Sequence, residues 1–354
     1  MDIFSTIRIL IIGSIIFSIG CSSSESSPSL NPDNIGRLPV PQPTAVISST
    51  PTGASGGALT IAIASEIPHK DVHQDVQETL TAMGPGLAYS RLLRLRSGES
   101  NQPHLLLECD LCQSWQLSND LSYVFYLRPG IRWQNIAPVN GRVLTANDVV
   151  FSLNRLKTPG WPNAALLSSI GESKALADSS LQIDLDFEDA DALLTLADGH
   201  VKIVAPEAVA VTGDLKDGPV IGTGPWVWQD TADEDMEFTR NPNYFENALP
   251  FLDQLNIVIM RSDPLDEPHD SNRVAAFQAG LIDVLSVGRS EWDIIRNGRS
   301  EFQTAISRRS GAGMVLAMNS RKPGLKELVV RQAVFRAIDP WDYLDIVWSG
   351  EGFT

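Results

Sequence analysis

The chain has 354 residues, of which 43% are hydrophobic and 20% are charged, and its net charge is −16. These proportions are ordinary for a globular protein, and the length is sufficient for two domains with cores of their own. The strong negative charge argues against a nucleic acid as partner, because surfaces that bind phosphate backbones carry clustered lysine and arginine.

The first segment, residues 1–21, has the pattern of a lipoprotein signal peptide. Its apolar run at residues 9–19 would span about 16 Å as a helix, which is too short for a bilayer core of ~30 Å. Gly20, Cys21 and a serine-rich tail follow. This order predicts cleavage before Cys21 and lipidation of its thiol, so that the protein is held on a membrane outside the cytoplasm. The alternative is an ordinary secretory signal that is cut nearby.

The next segment, residues 22–57, is rich in serine, proline, threonine and glycine. Such a composition cannot bury enough apolar surface to fold, so we predict a flexible tether. An apolar run with β-branched residues follows at residues 59–64. We predict that the folded part begins here with a buried strand.

Two further strands are predicted at residues 113–117 and 123–127, followed by two turns. Pro129 and Gly130 fit a type II turn, because proline presets φ at the second position and glycine supplies a positive φ at the third. The dipeptide Asn-Gly at residues 140–141 predicts the second turn.

Helices are predicted by capping residues and by apolar spacing. Thr145 and Asp148 form the start of a helix whose apolar residues continue at helical spacing. A strand-rich zone follows at residues 201–259, and two helices are predicted near the end, at residues 325–338 and 341–348. The first of these two is expected to face inward with Leu328, Val329, Ala333, Val334 and Ala337. The whole pattern indicates a mixed α/β protein.

Two of the three cysteines form a Cys-x-x-Cys pair, Cys109 and Cys112. In an exported protein a local disulfide is the expected state of such a pair. A redox-active pair is the alternative, but it would need an exposed thiol of low pKa at a helix start, and a strand is predicted here. A zinc site would need two more ligands, and the sequence has no second cysteine pair.

No catalytic or metal-binding pattern is complete. His69 and His73 have the spacing of a metalloprotease helix, but Lys70 stands where that motif needs glutamate. We therefore predict that both histidines are exposed to solvent. The acidic residues within 184–191 lack the glycine of a calcium-binding loop and are expected to form a solvated face. We expect neither a cofactor nor a metal ion.

Several segments, in order along residues 59–354, together resemble the extracytoplasmic solute-binding proteins of peptide-type ABC importers, the oligopeptide- and dipeptide-binding group. The segments are YSRLLR at 89–94, SWQLSND at 114–120, YVFYLRPGIRW at 123–133, LTANDVVFSL at 144–153, GTGPW at 222–226, RNPNYF at 240–245, AAFQAGLID at 275–283 and VRQAVFRAID at 330–339. Each is weak alone, and their shared order carries the resemblance.

The resemblance implies an α/β, two-lobed periplasmic-binding-protein type II fold that closes on a ligand and breaks no bond. Lobe one would comprise residues 58–88 and 203–289, with an extra subdomain inserted at residues 89–202. Lobe two would begin near residue 290, and residues 290–354 would be its first part. Chains of this family continue further, so we expect the second lobe to be incomplete, less stable than lobe one and poor at holding ligand.

The resemblance also implies a ligand cleft, for which we select the candidates Tyr89, Gly224, Pro225, Trp226 and Asn319. The expected protein is a lipid-anchored monomer in the periplasm or at the cell surface. It would capture peptides and deliver them to the permease subunits of an ABC importer. A nickel complex, a sugar or another small solute is the alternative ligand for the same fold. A secreted hydrolase is the alternative from another class, although the sequence offers no nucleophile–base pair.

Overall fold

The computed structural model describes residues 54–96, 106–119, 121–231, 235–261, 271–286, 295 and 316–348. All of them belong to one compact unit, Pro41–Thr354. The predicted signal peptide with Cys21, and all of the predicted tether except residues 54–57, lie outside the described residues. Within the described part, no helix is both long enough and apolar enough to cross a lipid bilayer.

The described residues form a mixed α/β fold, as the sequence predicts. The strands are β1 Ala58–Ile63, β2 Leu93–Leu95, β3 Leu107–Cys109, β4 Cys112–Asn119, β5 Ser122–Leu127, β6 Ile170–Ala177, β7 Ser180–Leu185, β8 Trp226–Gln229, β9 Met236–Arg240 and β10 Gln254–Ile259. The α-helices are α1 Glu78–Thr81, α2 Ala146–Leu156, α3 Ala192–Leu196, α4 Pro206–Ala210, α5 Ser271–Gln278, α6 Leu328–Ala337 and α7 Pro340–Trp348. Two short 3-10 helices occur at Pro85–Ala88 and Pro162–Leu167.

The first sheet has the strand order β1–β10–β9–β8. β1 and β10 are parallel, whereas the other neighbours are antiparallel. The outer edge of β1 continues onto the segment after α5, where the N–H of Asp283 donates to the carbonyl of Thr60 at 2.8 Å. The strand predicted at residues 59–64 is therefore confirmed. It is half-buried rather than buried, because Leu59 and Ile61 pack at the margin of a small core.

The second large sheet has the order β4–β5–β7–β6 and is antiparallel throughout. Alternate residues of its strands, such as Phe125 and Leu181, are fully buried because one face of the sheet packs into a large core. Helix α2 lies against β6 and β7 and contributes Val149 and Leu153 to the same core. The strands predicted at residues 113–117 and 123–127 are β4 and β5 of this sheet.

Both predicted turns are present. Gly130 has a φ of +74°, as the third position of a type II turn requires. Asn140 and Gly141 have φ values of +52° and +68°, so the chain uses two consecutive left-handed residues to reverse direction. The reversal is closed by a bridge between Arg132 and Val143.

The predicted start of α2 is confirmed. The carboxylate of Asp148 accepts a hydrogen bond from the N–H of Thr145 at 2.8 Å, which completes a capping box. Arg142 donates two hydrogen bonds to Asp148, at 2.8 and 2.7 Å, and two more to Glu207, at 2.5 and 2.7 Å. Since Glu207 belongs to α4, Arg142 joins the first turns of two helices.

Cys109 and Cys112 are joined by a disulfide, with 5.0 Å between their Cα atoms. Cys109 is the last residue of β3 and Cys112 is the first residue of β4, so the bond joins two sheets at their connection. Arg128 also fixes this turn, because its guanidinium donates to the carbonyls of Asp110 and Cys109 at 2.7 and 3.1 Å.

The two predicted C-terminal helices are α6 and α7, and Asp339 caps the second by accepting from the N–H of Trp341 at 2.9 Å. The predicted inward face of α6 is wrong for the described structure. Leu328 and Val329 are 58% and 74% exposed, Ala333 and Ala337 are exposed, and only Val334 is half-buried. In the described part of the chain, α6 has no buried residue at all.

Candidate functional site

The 222–226 loop, whose last residue Trp226 begins β8, packs directly on the backbone of the 3-10 helix Pro85–Ala88. The N–H of Gly224 donates to the carbonyl of Ala88 at 2.9 Å. A Cβ atom at Gly222 would lie 1.8 Å from the carbonyl oxygen of Ala88, and one at Gly224 would lie 2.8 Å from it. Only glycine permits this approach, which explains the Gly-x-Gly spacing of the motif in physical terms.

Two amide side chains from distant parts of the sequence hold the same loop. Gln134 donates from Nε2 to the carbonyl of Trp226 at 2.8 Å and accepts from the N–H of Gly222 at 3.2 Å. Asn241 donates from Nδ2 to the carbonyl of Gly224 at 2.8 Å. Its backbone N–H donates to the carbonyl of Pro225, also at 2.8 Å. The loop is therefore held at both ends and in the middle.

The structure brings four of the five predicted cleft residues together. Tyr89 directly follows the 3-10 helix that supports Gly224, and Pro225 and Trp226 continue the loop. Tyr89 and Trp226 are only 4% and 9% exposed, and Pro225 is half-buried. The ring of Tyr89 thus belongs to the large core. Direct contact of these residues with a ligand stays a prediction.

Asn319, the fifth predicted cleft residue, lies elsewhere in the described structure. It is exposed and begins a turn, in which its side-chain oxygen accepts from the N–H of Arg321 at 3.0 Å. Its carbonyl accepts from the N–H of Lys322 at 3.1 Å. No described contact joins it to the 222–226 loop, so a binding role for Asn319 also stays a prediction.

A buried ionic network lies beneath this region. Arg155 donates to the carboxylate of Asp71 with both terminal nitrogens and to Nδ1 of His73 at 3.0 Å. The Nε2 atom of His73 lies 2.8 Å from the carbonyl of Lys202. Because arginine only donates, Nδ1 must accept and Nε2 must carry the proton, so His73 is neutral. Burial, assisted by the charge of Arg155, lowers the pKa of His73 to about 4.

The prediction that His69 and His73 are exposed is wrong for His73, which has 0% exposure, while His69 is half-buried. The ring of His73 is satisfied by Arg155 and by a carbonyl, so it is structural. Burial raises the pKa of Tyr89 above its usual range, and the negative charge of Asp71 acts in the same direction. The phenol therefore stays protonated, which leaves it unsuited to serve as a base.

A second charged cluster joins the β2–β3 hairpin to the segment after β9. Arg94 donates to Glu108 at 2.6 Å and to the two carboxylate oxygens of Glu246 at 3.1 and 2.7 Å. Asp110 is buried nearby and accepts from the N–H of Arg91 at 2.8 Å. Burial, with the charge of Arg91, lowers the pKa of buried Lys202 to about 7.

Among the described residues, no three His, Cys, Asp or Glu side chains gather as a metal site. Asp71 and Arg155 bind each other, and Asp110 accepts from a backbone N–H. The arrangement offers a rigid surface, in which a glycine-containing loop packs on a 3-10 helix and is fixed by the amide side chains of Gln134 and Asn241.

The sequence reasoning missed Gln134, which lies between two quoted segments and belongs to no motif. Asn241 could have been identified from the sequence, because it is the second residue of the RNPNYF segment at 240–245. The repeated Asn-x-Asn spacing there indicates a side-chain-capped turn, and the N–H of Asn243 does donate to the side chain of Asn241 at 3.0 Å.

The comparison with protein families identifies the class. The model of the family described as bacterial extracellular solute-binding proteins, family 5 (middle) matches residues 107–353. That match covers well over half of the chain, so this protein belongs to that family.

Two curated relatives and one solved structure extend the comparison. The heme-binding protein A of Haemophilus influenzae is 27% identical over 75% of this chain and 50% of its own length. The probable di/tripeptide-binding protein 5 of Pseudomonas aeruginosa is 28% identical over 83% of this chain and 57% of its own length. The chain thus spans between half and three-fifths of these two relatives.

The solved structure is the periplasmic binding protein DppA of Helicobacter pylori in complex with the peptide STSA. It is 21% identical, aligns over 84% of this chain and 59% of its own chain, and has a TM-score of 0.65. Together with the mixed α/β architecture described above, this places the fold in the type II periplasmic-binding-protein class.

Proposed function

We propose that this protein is the solute-binding component of an ABC importer and that its solute is a short peptide. The observation that carries the proposal is the similarity, over 83% of the chain, to a probable di/tripeptide-binding protein. The function is reversible capture outside the cytoplasm followed by delivery to a membrane permease. No chemical step is involved, and the work comes from different ligand affinities of the open and closed lobes.

The geometry supports a ligand-binding surface at the 222–226 loop of lobe one. The 222–226 loop is fixed by Ala88, Gln134 and Asn241, so little of its freedom remains to be lost when a ligand binds. Such preorganisation raises affinity by lowering the ordering cost. Most backbone groups of the loop are already bonded within the protein. We therefore propose that a peptide meets the surface next to Pro225 and Trp226, with its strand-like hydrogen bonds supplied by neighbouring segments.

Heme is the second candidate solute, because heme-binding protein A matches 75% of this chain. A flat, apolar ligand of that size would need wide hydrophobic walls, whereas a short peptide needs roomy pockets and polar partners for its backbone. The two candidates therefore differ in a property that binding can measure.

The test on the purified chain is saturation-transfer NMR with a pool of di- and tripeptides in one arm and an absorbance titration with hemin in the other. Saturation transfer registers weak binding, which matters because the chain spans only part of its relatives' length. We expect saturable transfer to peptides, and an excess of one dipeptide should abolish the transfer to the others. Saturable binding of hemin alone would replace peptide by heme, and an absence of both would remove the ligand assignment.

We also propose that the protein is a monomer, anchored to the membrane by a lipid on Cys21. The anchor rests on the sequence order of residues 1–57, in which a short apolar run precedes Gly20, Cys21 and a polar tether. The monomeric state is carried over from the resemblance to the solute-binding family.

A further inference from the structure

The side chain of Gln134 connects two parts of the fold that the sequence assigns to different regions, the extra subdomain and lobe one. Gln134 lies within the proposed extra subdomain, residues 89–202, directly after the buried Trp133. Its two side-chain partners, Gly222 and Trp226, lie in the proposed continuation of lobe one. The bonds therefore connect the subdomain to the loop that carries the predicted cleft residues.

Gln134 is itself fixed in place. Its carbonyl accepts from the N–H groups of Ile136 and Gly141 at 2.9 and 3.3 Å, and its N–H donates to the carbonyl of Gly222 at 3.0 Å. The side chain is only 3% exposed. A buried amide that uses both its donor and its acceptor on one loop has a definite orientation, because exchanging its oxygen and nitrogen would face like with like.

The two contacts of the side chain lie on opposite ends of the loop. Gly222 begins it and donates to Oε1, whereas Trp226 ends it and accepts from Nε2. One side chain therefore sets the distance between the loop ends. Asn241 holds the middle through Gly224, but it comes from the segment after β9 and not from the subdomain.

We infer that Gln134 is a positioning residue through which the subdomain at 89–202 sets the shape of the ligand-facing 222–226 loop. This inference rests on the proposed function only in describing the loop as ligand-facing. The positioning of the loop by Gln134 does not depend on a ligand. Gln134 touches no ligand in this proposal and acts only through Gly222 and Trp226.

The test compares two substitutions in the full chain by residue-resolved amide hydrogen exchange. Gln134→Met keeps the volume and removes both side-chain bonds. We expect the Gly222 amide to exchange at least about tenfold faster in this variant, as the loss of one buried hydrogen bond implies. The amides of β5 should keep their wild-type rates. Gln116→Met is the matched control, because Gln116 is exposed and donates only to the hydroxyl of Tyr126 at 3.2 Å.

A second variant guards against a failure of Gln134→Met to fold. Gln134→Glu retains an oxygen that accepts from Gly222 but has no donor for Trp226 when ionised. We expect it to keep more protection at Gly222 than Gln134→Met does, while the carbonyl 13C shift of Trp226 moves in both variants. Unchanged exchange at Gly222 in Gln134→Met would overturn the inference. An equal acceleration of the loop and of β5 in either variant would do so too, because it would indicate general destabilisation.

A parallel titration with the dipeptide Met-Leu separates this inference from the proposed function. If the wild type binds Met-Leu, we expect binding to weaken about tenfold in Gln134→Met and to stay unchanged in Gln116→Met. If the wild type does not bind Met-Leu, the peptide assignment loses support, whereas the exchange measurement still decides whether Gln134 positions the loop.

Discussion

Arg155 and Asp71 form a two-pronged ion pair in the protein interior, although 84 residues separate them in sequence. Arg155 Nη1 lies 3.0 Å from Asp71 Oδ1, and the side chains are 7% and 0% exposed. Asp71 also accepts from the N–H groups of His73 and Leu215, at 3.0 and 3.1 Å. The pair thus joins the segment after β1, helix α2 and the segment after α4.

Removing one partner of this pair should strongly destabilise the protein. Asp71→Asn leaves the guanidinium of Arg155 buried without a counter-charge, and such losses cost about 3–5 kcal/mol. Urea unfolding monitored by circular dichroism measures the change. Asp253→Asn is the control, because Asp253 pairs with Arg240 at the surface, where exposed pairs contribute about 0–1 kcal/mol. Equal effects of the two substitutions would contradict the description of the buried network.

The stability of the protein should fall as the pH falls from 6.5 to 4. The pKa of His73 is lowered from its ordinary value of 6.5 to about 4, so the native state binds fewer protons than the unfolded state in that window. For one group the slope reaches about 1.4 kcal/mol per pH unit. Burial opposes ionisation of Asp71, but Arg155 outweighs it and lowers the pKa to about 2, so Asp71 contributes its own loss only at lower pH.

The measurement is the free energy of unfolding at several pH values for the wild type and for His73→Gln. We expect a shallower decline in the variant between pH 6.5 and 4. The pKa of His200 is raised by its hydrogen bond with Asp198, which acts in the opposite direction, but it is common to both proteins and cancels in the difference. Parallel pH profiles would mean that His73 titrates normally.

A methyl group at Gly222 should disturb the candidate site. Its Cβ would overlap the carbonyl of Ala88, which is backbone and cannot rotate away. We expect Gly222→Ala to lower the free energy of unfolding by about 2 kcal/mol or more, as for overpacked interiors. Gly199→Ala is the matched control, since the nearest atom to its Cβ lies at 3.8 Å and its expected change is within about 0.5 kcal/mol. Thermal unfolding of the three proteins makes the comparison, and a harmless Gly222→Ala would refute the close packing.

Cys21 should determine where the exported protein is found. We expect the wild type in the membrane fraction and Cys21→Ala either in the soluble fraction or unprocessed, because the lipid supplies the anchor. Fractionation followed by immunoblotting measures this. A Cys109→Ala/Cys112→Ala variant controls for general effects of cysteine loss and should remain with the membrane. If Cys21→Ala partitions as the wild type does, the lipoprotein assignment fails.

Much of the fold was predictable because its signals are local. The capping box of Thr145 and Asp148 and the turn at Gly130 each depend on residues within a few positions of one another. The network of Asp71, His73 and Arg155 could not be predicted, since only the folded chain brings these residues together. Exposure of His73 was predicted because the metal-binding motif around it is incomplete, whereas the partners that permit its burial are distant in sequence.

The candidate site, too, could be predicted from the sequence only in part. Gly224, Pro225 and Trp226 came from a motif and lie together with Tyr89, which was selected for the same cleft. Gln134, whose side chain binds both ends of their loop, belongs to no motif, so only the folded structure identifies it. The inward face predicted for α6 failed for a physical reason: an apolar stripe specifies that a helix is amphipathic, but it does not specify the surface that covers it.

The most direct test of the central claim is chemical-shift mapping of the isotope-labelled chain with the dipeptide Met-Leu at millimolar concentration. The account predicts saturable shifts that centre on residues 222–226 and on the segment at Tyr89, and that are absent in Gly222→Ala. It also predicts little change on the outer strand β6. No saturable shifts, or shifts confined to residues far from the 222–226 loop, would contradict the claim that this protein captures peptides at the site described.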